Sequence, residues 1–143
     1  MYCLGMIVRI FALPDKTAVI SLWQACELIV PQNDPGKDID RKLAVNPELF
    51  LVGEHRGEVV ASVMGGYEGH RGWINYLAVT PDHRGNGYGK MIMSEIEARI
   101  RAKGCPKINL QVRSSNDAVI GFYESLGYGR ERVAGMGKRL END

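Results

Sequence analysis

Cysteine is scarce in this chain, net charge is almost absent, and long apolar runs do not occur. Cys3, Cys26 and Cys105 are the three cysteines of 143 residues. Their odd number and wide spacing argue against a disulfide framework, and no CxxC pair or Cys/His cluster marks a metal site, so the cysteines read as reduced thiols of a cytoplasmic protein and no metal is expected. Eighteen basic against seventeen acidic side chains leave a net charge of +1. That removes any global pull toward nucleic acid or a membrane surface. Basic residues do gather at Arg99, Arg101, Lys103 and Lys107, and again at Arg130, Arg132, Lys138 and Arg139, as they would on a solvated face. No uncharged apolar run approaches the ~20 residues of a membrane span. The start, MYCLGMIVRIF, lacks a basic n-region and carries Arg9 inside its apolar run, which speaks against a signal peptide. With 45% hydrophobic and 24% charged residues, the chain has an ordinary globular balance. It is read as one domain, residues 1–143, long enough to bury a core without disulfides or metals.

What is present is a clear alternation of strand and helix patterns. Ile7 to Phe11 is β-branched and short, a first strand. Pro14-Asp15 opens a helix with Val19, Leu22, Trp23 and Cys26 on one stripe. Pro31 to Gly36 is a loop by its turn chemistry, and a second helix is expected from Lys37 to about Val45, ended by Asn46-Pro47. Leu49–Glu54 and Glu58–Met64 pattern as strands joined by a His55-Arg56-Gly57 turn. Gly65 to Gly72 reads as a glycine-rich connection, followed by a central strand from Trp73 to Val79. A helix then carries Tyr88, Ile92, Met93, Ile96 and Ile100 on a buried face and ends at Lys103-Gly104. Lys107 to Arg113 alternates as a strand, Ser115-Asn116-Asp117 offers an N-cap, and a last helix carries Val119, Phe122 and Leu126. The tail from Tyr128 to Leu140 has room for two more strands, with Gly135 and Gly137 near a bend. The expected fold is α/β, a mixed sheet of about six to seven strands with about four helices.

One stretch stands out: His83-Arg84-Gly85-Asn86-Gly87-Tyr88-Gly89-Lys90, three glycines between two cations at the start of a helix. Glycine costs a helix about 1 kcal/mol relative to alanine, so the residues are there for something else. A strand, a glycine-rich turn and a helix N-terminus form an anion site, because the first N–H groups of a helix lack internal partners and carry its positive dipole end. The Walker pattern fails at Arg84 and at Met91, and the dinucleotide pattern fails at Lys90 or Ile92, according to where it begins. The pattern that fits is Arg84-x-x-Gly87-x-Gly89. It is preceded by Leu77-Ala78-Val79-Thr80-Pro81 and followed, one strand later, by Asn116 and by Phe122-Tyr123-Glu124-Ser125-Leu126-Gly127-Tyr128, an Asn-x6-Tyr-x3-Gly-Tyr signature.

In order and spacing these motifs resemble the GNAT family, the Gcn5-related N-acetyltransferases. NDP, MGGY-x-GHRG, GCPKI and GKRL are similar to its YpeA branch. The resemblance implies a GNAT fold with a splay between two central parallel strands, here Trp73–Val79 and Lys107–Arg113. It implies direct transfer of an acetyl group from acetyl-CoA to a primary amine. The co-substrate would lie against main-chain groups of Leu77, Ala78 and Val79, against Arg84, Gly85, Asn86, Gly87, Tyr88, Gly89 and Lys90, and against Asn116. Asn116 also suits a plain helix cap, and Arg84 and Lys90 also suit the rim of a turn. Tyr123 would protonate the departing thiolate; read without the resemblance it is a core-edge aromatic. Many family members carry a glutamate on the central strand as general base, but Ile74-Asn75-Tyr76 has no carboxylate; Glu54, Glu58, Glu68 and His70 are candidates elsewhere, a water chain or delivery of a neutral amine would serve instead, and the base is left unassigned. The acceptor wall would draw on Asn33, Asp34, Tyr67, Glu68 and Tyr76, although Asn33-Asp34-Pro35 also suits a simple turn. The acceptor itself would be a small-molecule or peptide amine, and the family often forms homodimers through late strands. Two rivals remain: a non-catalytic acyl-CoA-binding regulatory module, favoured by the missing carboxylate, and a nucleotide-binding regulator, disfavoured by the failed Walker pattern.

Overall fold

The structure is a computed structural model that describes residues 5–143; Cys3 and the first residues of the apolar start lie outside the described residues. Five strands form one sheet in the order β1-β2-β3-β4-β5. They are β1 (Ile7–Ile10), β2 (Phe50–His55), β3 (Glu58–Tyr67), β4 (Gly72–Val79) and β5 (Ile108–Asn109). The first four are antiparallel neighbours, and β5 lies parallel to β4. Helices α1 (Lys16–Ala25), α2 (Pro35–Leu43), α3 (Tyr88–Ala102) and α4 (Asp117–Ser125) flank it. Among the described residues no helix is long and apolar enough to cross a membrane.

Alternation along the strands divides the core into two layers. One holds Leu51, Val63 and Ile74 against Ile92, Ile96 and Ile100 of α3. The other holds Phe50, Val52, Met64 and Ala78 against Val19, Leu22 and Trp23 of α1 and Ile39 of α2. Between β2 and β3 the chain turns on Arg56 and Gly57, both left-handed at φ 51° and 80°, the pair of angles a two-residue hairpin of right-handed twist requires.

Three expectations are corrected. The second helix begins at Pro35, earlier than Lys37, because the Asp34 side chain accepts from Lys37 N at 3.1 Å and proline suits the first helical position. Strand β3 runs on through Gly65, Gly66 and Tyr67, which the sequence pattern assigned to a connection. A Cβ on Gly65 would stand 2.7 Å from Ile96 Cγ1, so this glycine admits α3 close to the sheet and does not mark a turn.

The third correction concerns strand number, five where six to seven were expected. Only Ile108–Asn109 of the Lys107–Arg113 segment is strand, and no residue from Tyr128 to Asp143 is. A strand persists only where a neighbour completes its ladder. The β4–β5 register stops at Trp73↔Asn109, and the tail does not pair with the other edge. The tail is instead tied down by side chains: Lys107 to Glu131, Arg139 to Asn33, and Asp143 to Arg41. A cavity of about 1160 Å³ lies where the extra strands were expected, bounded by residues 108–114 and by the tail, with Tyr123 and Tyr128 in its wall.

Candidate functional site

Strand β4 is the centre of the site, and its irregularity is local. Ser62 pairs with Ala78 and Met64 with Asn75, so two residues of β4, Tyr76 and Leu77, stand opposite the single Val63. This is a β-bulge. Tyr76 adopts φ 50°, a conformation a bulky side chain holds only when its surroundings impose it. On the other side of β4 the ladder to β5 has already ended at Trp73. From Ile74 to Val79 the β5-facing edge of the central strand is therefore unpaired, and the two parallel strands part there.

The glycine-rich loop follows β4 directly. Pro81–His83 makes one turn of 3₁₀ helix, Gly87 caps α3 at φ 79°, and Gly85 has φ 85°. Among the described residues, the main-chain N–H groups from Gly85 to Lys90 donate to no main-chain acceptor; the first to do so is Met91, to Gly87 O at 3.0 Å. Six successive free donors at the positive end of a fifteen-residue helix make a cradle for an anion. The three glycines serve different ends. An added Cβ at Gly85 or Gly87 would meet nothing within 4 Å, whereas at Gly89 it would approach Phe122 Cζ to 3.1 Å. The first two supply left-handed backbone, and the third lets α3 pack on α4.

The side chains expected around this loop are distributed as follows. Tyr88 is buried, with its hydroxyl 3.3 Å from His55 Nδ1, so only its main chain faces the loop's open side. Lys90 is exposed beside Met91 and Ser94 on the outer face of α3. Asn86 donates from Nδ2 to His83 O at 3.3 Å. Arg84 folds back onto the end of β4, with Nε 3.0 Å from Val79 O and Nη2 3.4 Å from Cys26 Sγ. Asn116 is the N-cap of α4, accepting from Val119 N at 3.3 Å.

Tyr123 projects from α4 into the α3 core layer and is 8% exposed. It packs edge-on against Phe122 and Tyr128, with centroids at 5.2 and 5.6 Å. Its hydroxyl makes no hydrogen bond among the described residues, and burial pushes its pKa up to about 12. Tyr128 differs: its hydroxyl donates to Glu97 at 2.5 Å, and burial and that carboxylate raise its pKa.

On the α1/α2 face, the structure brings Asn33, Asp34 and Tyr76 into one network and leaves Tyr67 and Glu68 elsewhere. Tyr76 donates to Asp38 Oδ2 at 2.6 Å, and Arg41 bridges Asp38 at 3.3 Å and Asp143 at 2.8 Å. Asp143 also accepts from Asp34 N at 2.9 Å, and Arg139 donates to Asn33 at 2.7 Å. These contacts hold the Asp143 carboxyl down at about 2. Tyr67 and Glu68 sit at the β3–β4 turn, past the end where β5 still pairs. Tyr67 donates to Gly69 O, and Glu68 accepts from His70 and Arg71 main chain. Of the other carboxylates considered, Glu54 is engaged by Arg9 at 2.6 Å. The sequence reading missed Asp38. It is the carboxylate that reaches the central strand, and it comes from α2; a single Asp in a charged helical segment gave no signal for this.

A family model, the acetyltransferase (GNAT) family, matches residues 16–128. An acetyltransferase of Pectobacterium atrosepticum is 54% identical over 138 residues, 96% of this chain and 98% of that protein. The chain belongs to the GNAT acetyltransferase family. Among solved structures, an aminoglycoside acetyltransferase from an uncultured soil metagenomic sample, in complex with trehalose, superposes with a TM-score of 0.77 at 20% identity, covering 96% of this chain and 97% of that one. The NatC complex bound to Gag peptide and CoA matches at 0.74 and 18% identity, covering 90% and 87%. These two establish the shared fold.

Proposed function

We propose that this protein transfers the acetyl group of acetyl-CoA directly to a primary amine of a small-molecule or peptide acceptor, in the cytoplasm. The observation that carries this reading is a conjunction at one place. A bulged central strand has an unpaired edge and runs into a row of free N–H donors at a helix start. An extended thioester arm needs a strand edge to pair with, and a pyrophosphate needs a cradle of donors, so both fit the residues present.

Acetyl-CoA, when bound, supplies the activated acetyl thioester. Main-chain groups of Leu77, Ala78 and Val79 hold the arm, and the Leu77 N–H meets the negative charge that develops on the acetyl carbonyl oxygen. Gly85 to Lys90 hold the phosphates through main-chain N–H groups, with Arg84 swinging off Val79 O to join them and Asn116 at the far wall. Tyr123 supplies the proton that the departing thiolate needs, while the proton lost by the attacking amine passes to water, from which Tyr123 is reprotonated. The acceptor enters on the face of Asn33, Asp34 and Tyr76. Thiol release from acetyl-CoA, followed against a panel of amines, tests the reading. Amine-dependent release supports it. Saturable acetyl-CoA binding with no turnover on any amine would replace it with a non-catalytic acyl-CoA-binding module.

A further inference from the structure

Ser62 is the one fully buried polar side chain among the described residues, at 0% exposed. A buried hydroxyl must be partnered, and the partners fix its direction. Trp23 Nε1–H, itself fully buried, donates to Ser62 Oγ at 2.9 Å. An indole can only donate. The Ser62 proton is therefore left for its second contact, Tyr76 O at 3.1 Å. The same Tyr76 is held at two further points: its ring stacks on Trp23 with centroids 3.8 Å apart and planes 8° apart, and its hydroxyl is bound by Asp38. Three residues from β3, α1 and α2 thus converge on the single left-handed residue of β4.

The consequence lies one atom further along the chain. In a trans peptide the C=O of one residue and the N–H of the next point in opposite directions, and no peptide among the described residues is cis. Ser62 lies on β3, so it draws Tyr76 C=O toward β3. Leu77 N–H must then point the other way, toward the edge from which β5 has parted. Neither residue has a ladder partner that would fix this direction in its place.

We propose that Ser62, backed by Trp23, is the positioning residue that aims the Leu77 N–H into the gap between β4 and β5. This rests on the acetyl-transfer reading above. The test compares wild type with Ser62→Ala, Ser62→Thr and Trp23→Phe. Ser62→Ala should lower kcat about tenfold, the order of one lost hydrogen bond, with the Kd for CoA within about twofold. Ser62→Thr, which keeps the hydroxyl, should recover most of the rate, and Trp23→Phe, which removes the N–H and some volume but keeps an aromatic face for Tyr76, should lose less than Ser62→Ala. A second readout is independent of turnover and of folding yield: the ¹H–¹⁵N signal of Leu77 should shift further on adding acetyl-CoA than on adding CoA, and Ser62→Ala should at least halve that excess shift. A Leu77 shift retained in full by Ser62→Ala would overturn the inference, as would a kcat unchanged in that variant. A Leu77 shift in wild type that Ser62→Ala at least halves, without amine turnover, would uphold the positioning and defeat acetyl transfer. No shift in wild type would overturn the positioning whether or not turnover is seen.

Discussion

Replacing Tyr123 by Phe removes one oxygen and little else, and the structure sets the size of the effect. With its pKa near 12, the phenol lies about 3.5 units above an ordinary thiol, so complete proton transfer to a thiolate is uphill by about 5 kcal/mol. An unperturbed phenol would face only about 2 kcal/mol. Burial therefore makes Tyr123 a poor free acid, and it delivers its proton through a hydrogen bond that strengthens as charge builds on sulfur. Such a bond to a charged group is worth roughly 1.5–3 kcal/mol, or about ten- to 150-fold in rate. Tyr123→Phe should accordingly lower kcat within that range and leave the Kd for CoA within about twofold. It should also leave the melting temperature within about 2 °C, because the hydroxyl makes no hydrogen bond among the described residues. The pH dependence follows with a definite sign. The active form is the protonated one, present below the raised pKa and lost only as pH rises through about 12. Steady-state thiol release from about pH 6 to 10 should thus show no alkaline loss due to Tyr123. Unchanged kcat in Tyr123→Phe would refute the role, and an alkaline limb near pH 9 that disappears in the variant would refute the burial argument.

Other perturbations test separate parts. Gly87→Ala adds a Cβ that meets nothing but forces φ 79° on a chiral residue, a strain of roughly 1 kcal/mol; calorimetric titration should show weaker CoA binding, with Tm lower by about 2–4 °C, and wild-type affinity would argue that the loop is only a turn. Gly65→Ala puts a Cβ 2.7 Å from Ile96, so it should destabilise the fold by about 1–3 kcal/mol in denaturant unfolding; a stability like wild type would contradict the close approach of α3. Asp15 has its carboxyl held down chiefly by Arg9, which binds it at 2.7 and 2.9 Å. A depressed carboxylate contributes stability above its unfolded pKa and loses it as pH falls through the folded value. Arg9→Ala should therefore destabilise at pH 7, by roughly 1 kcal/mol once solvent screening is allowed for, and by less near pH 3; equal losses at both pH values would exclude the ion pair as cause.

The sequence carried most of the fold because each helix had its own local evidence. Asn116 announced the cap of α4, and Tyr88, Ile92, Ile96 and Ile100 announced the buried face of α3. What it misread depended on partners distant in the chain. Gly65 looked like a turn residue because nothing local reveals that Ile96 lies against it. The alternation of Lys107–Arg113 was strand-like, but strand formation needs neighbours, and the ladder to β4 ends at Asn109. In the site, the glycine loop was legible from spacing alone. The clamp on Tyr76 was not: Trp23 read as a stripe residue, nothing singled out Ser62, and their hydrogen bond joins positions 39 apart. Asp38 was invisible for the same reason, since its bond to Tyr76 spans 38 residues.

The most direct measurement is the mass of the acceptor. Purified protein would be incubated with acetyl-CoA and a mixed panel of primary amines, amino acids, polyamines, aminoglycosides and short peptides, and the amines then weighed by mass spectrometry beside a protein-free control. One amine class gaining a single acetyl group, in proportion to the thiol released, is the expected result. Thiol release with no acetylated amine, or stable acetyl-CoA binding with neither, would contradict direct acetyl transfer to an amine.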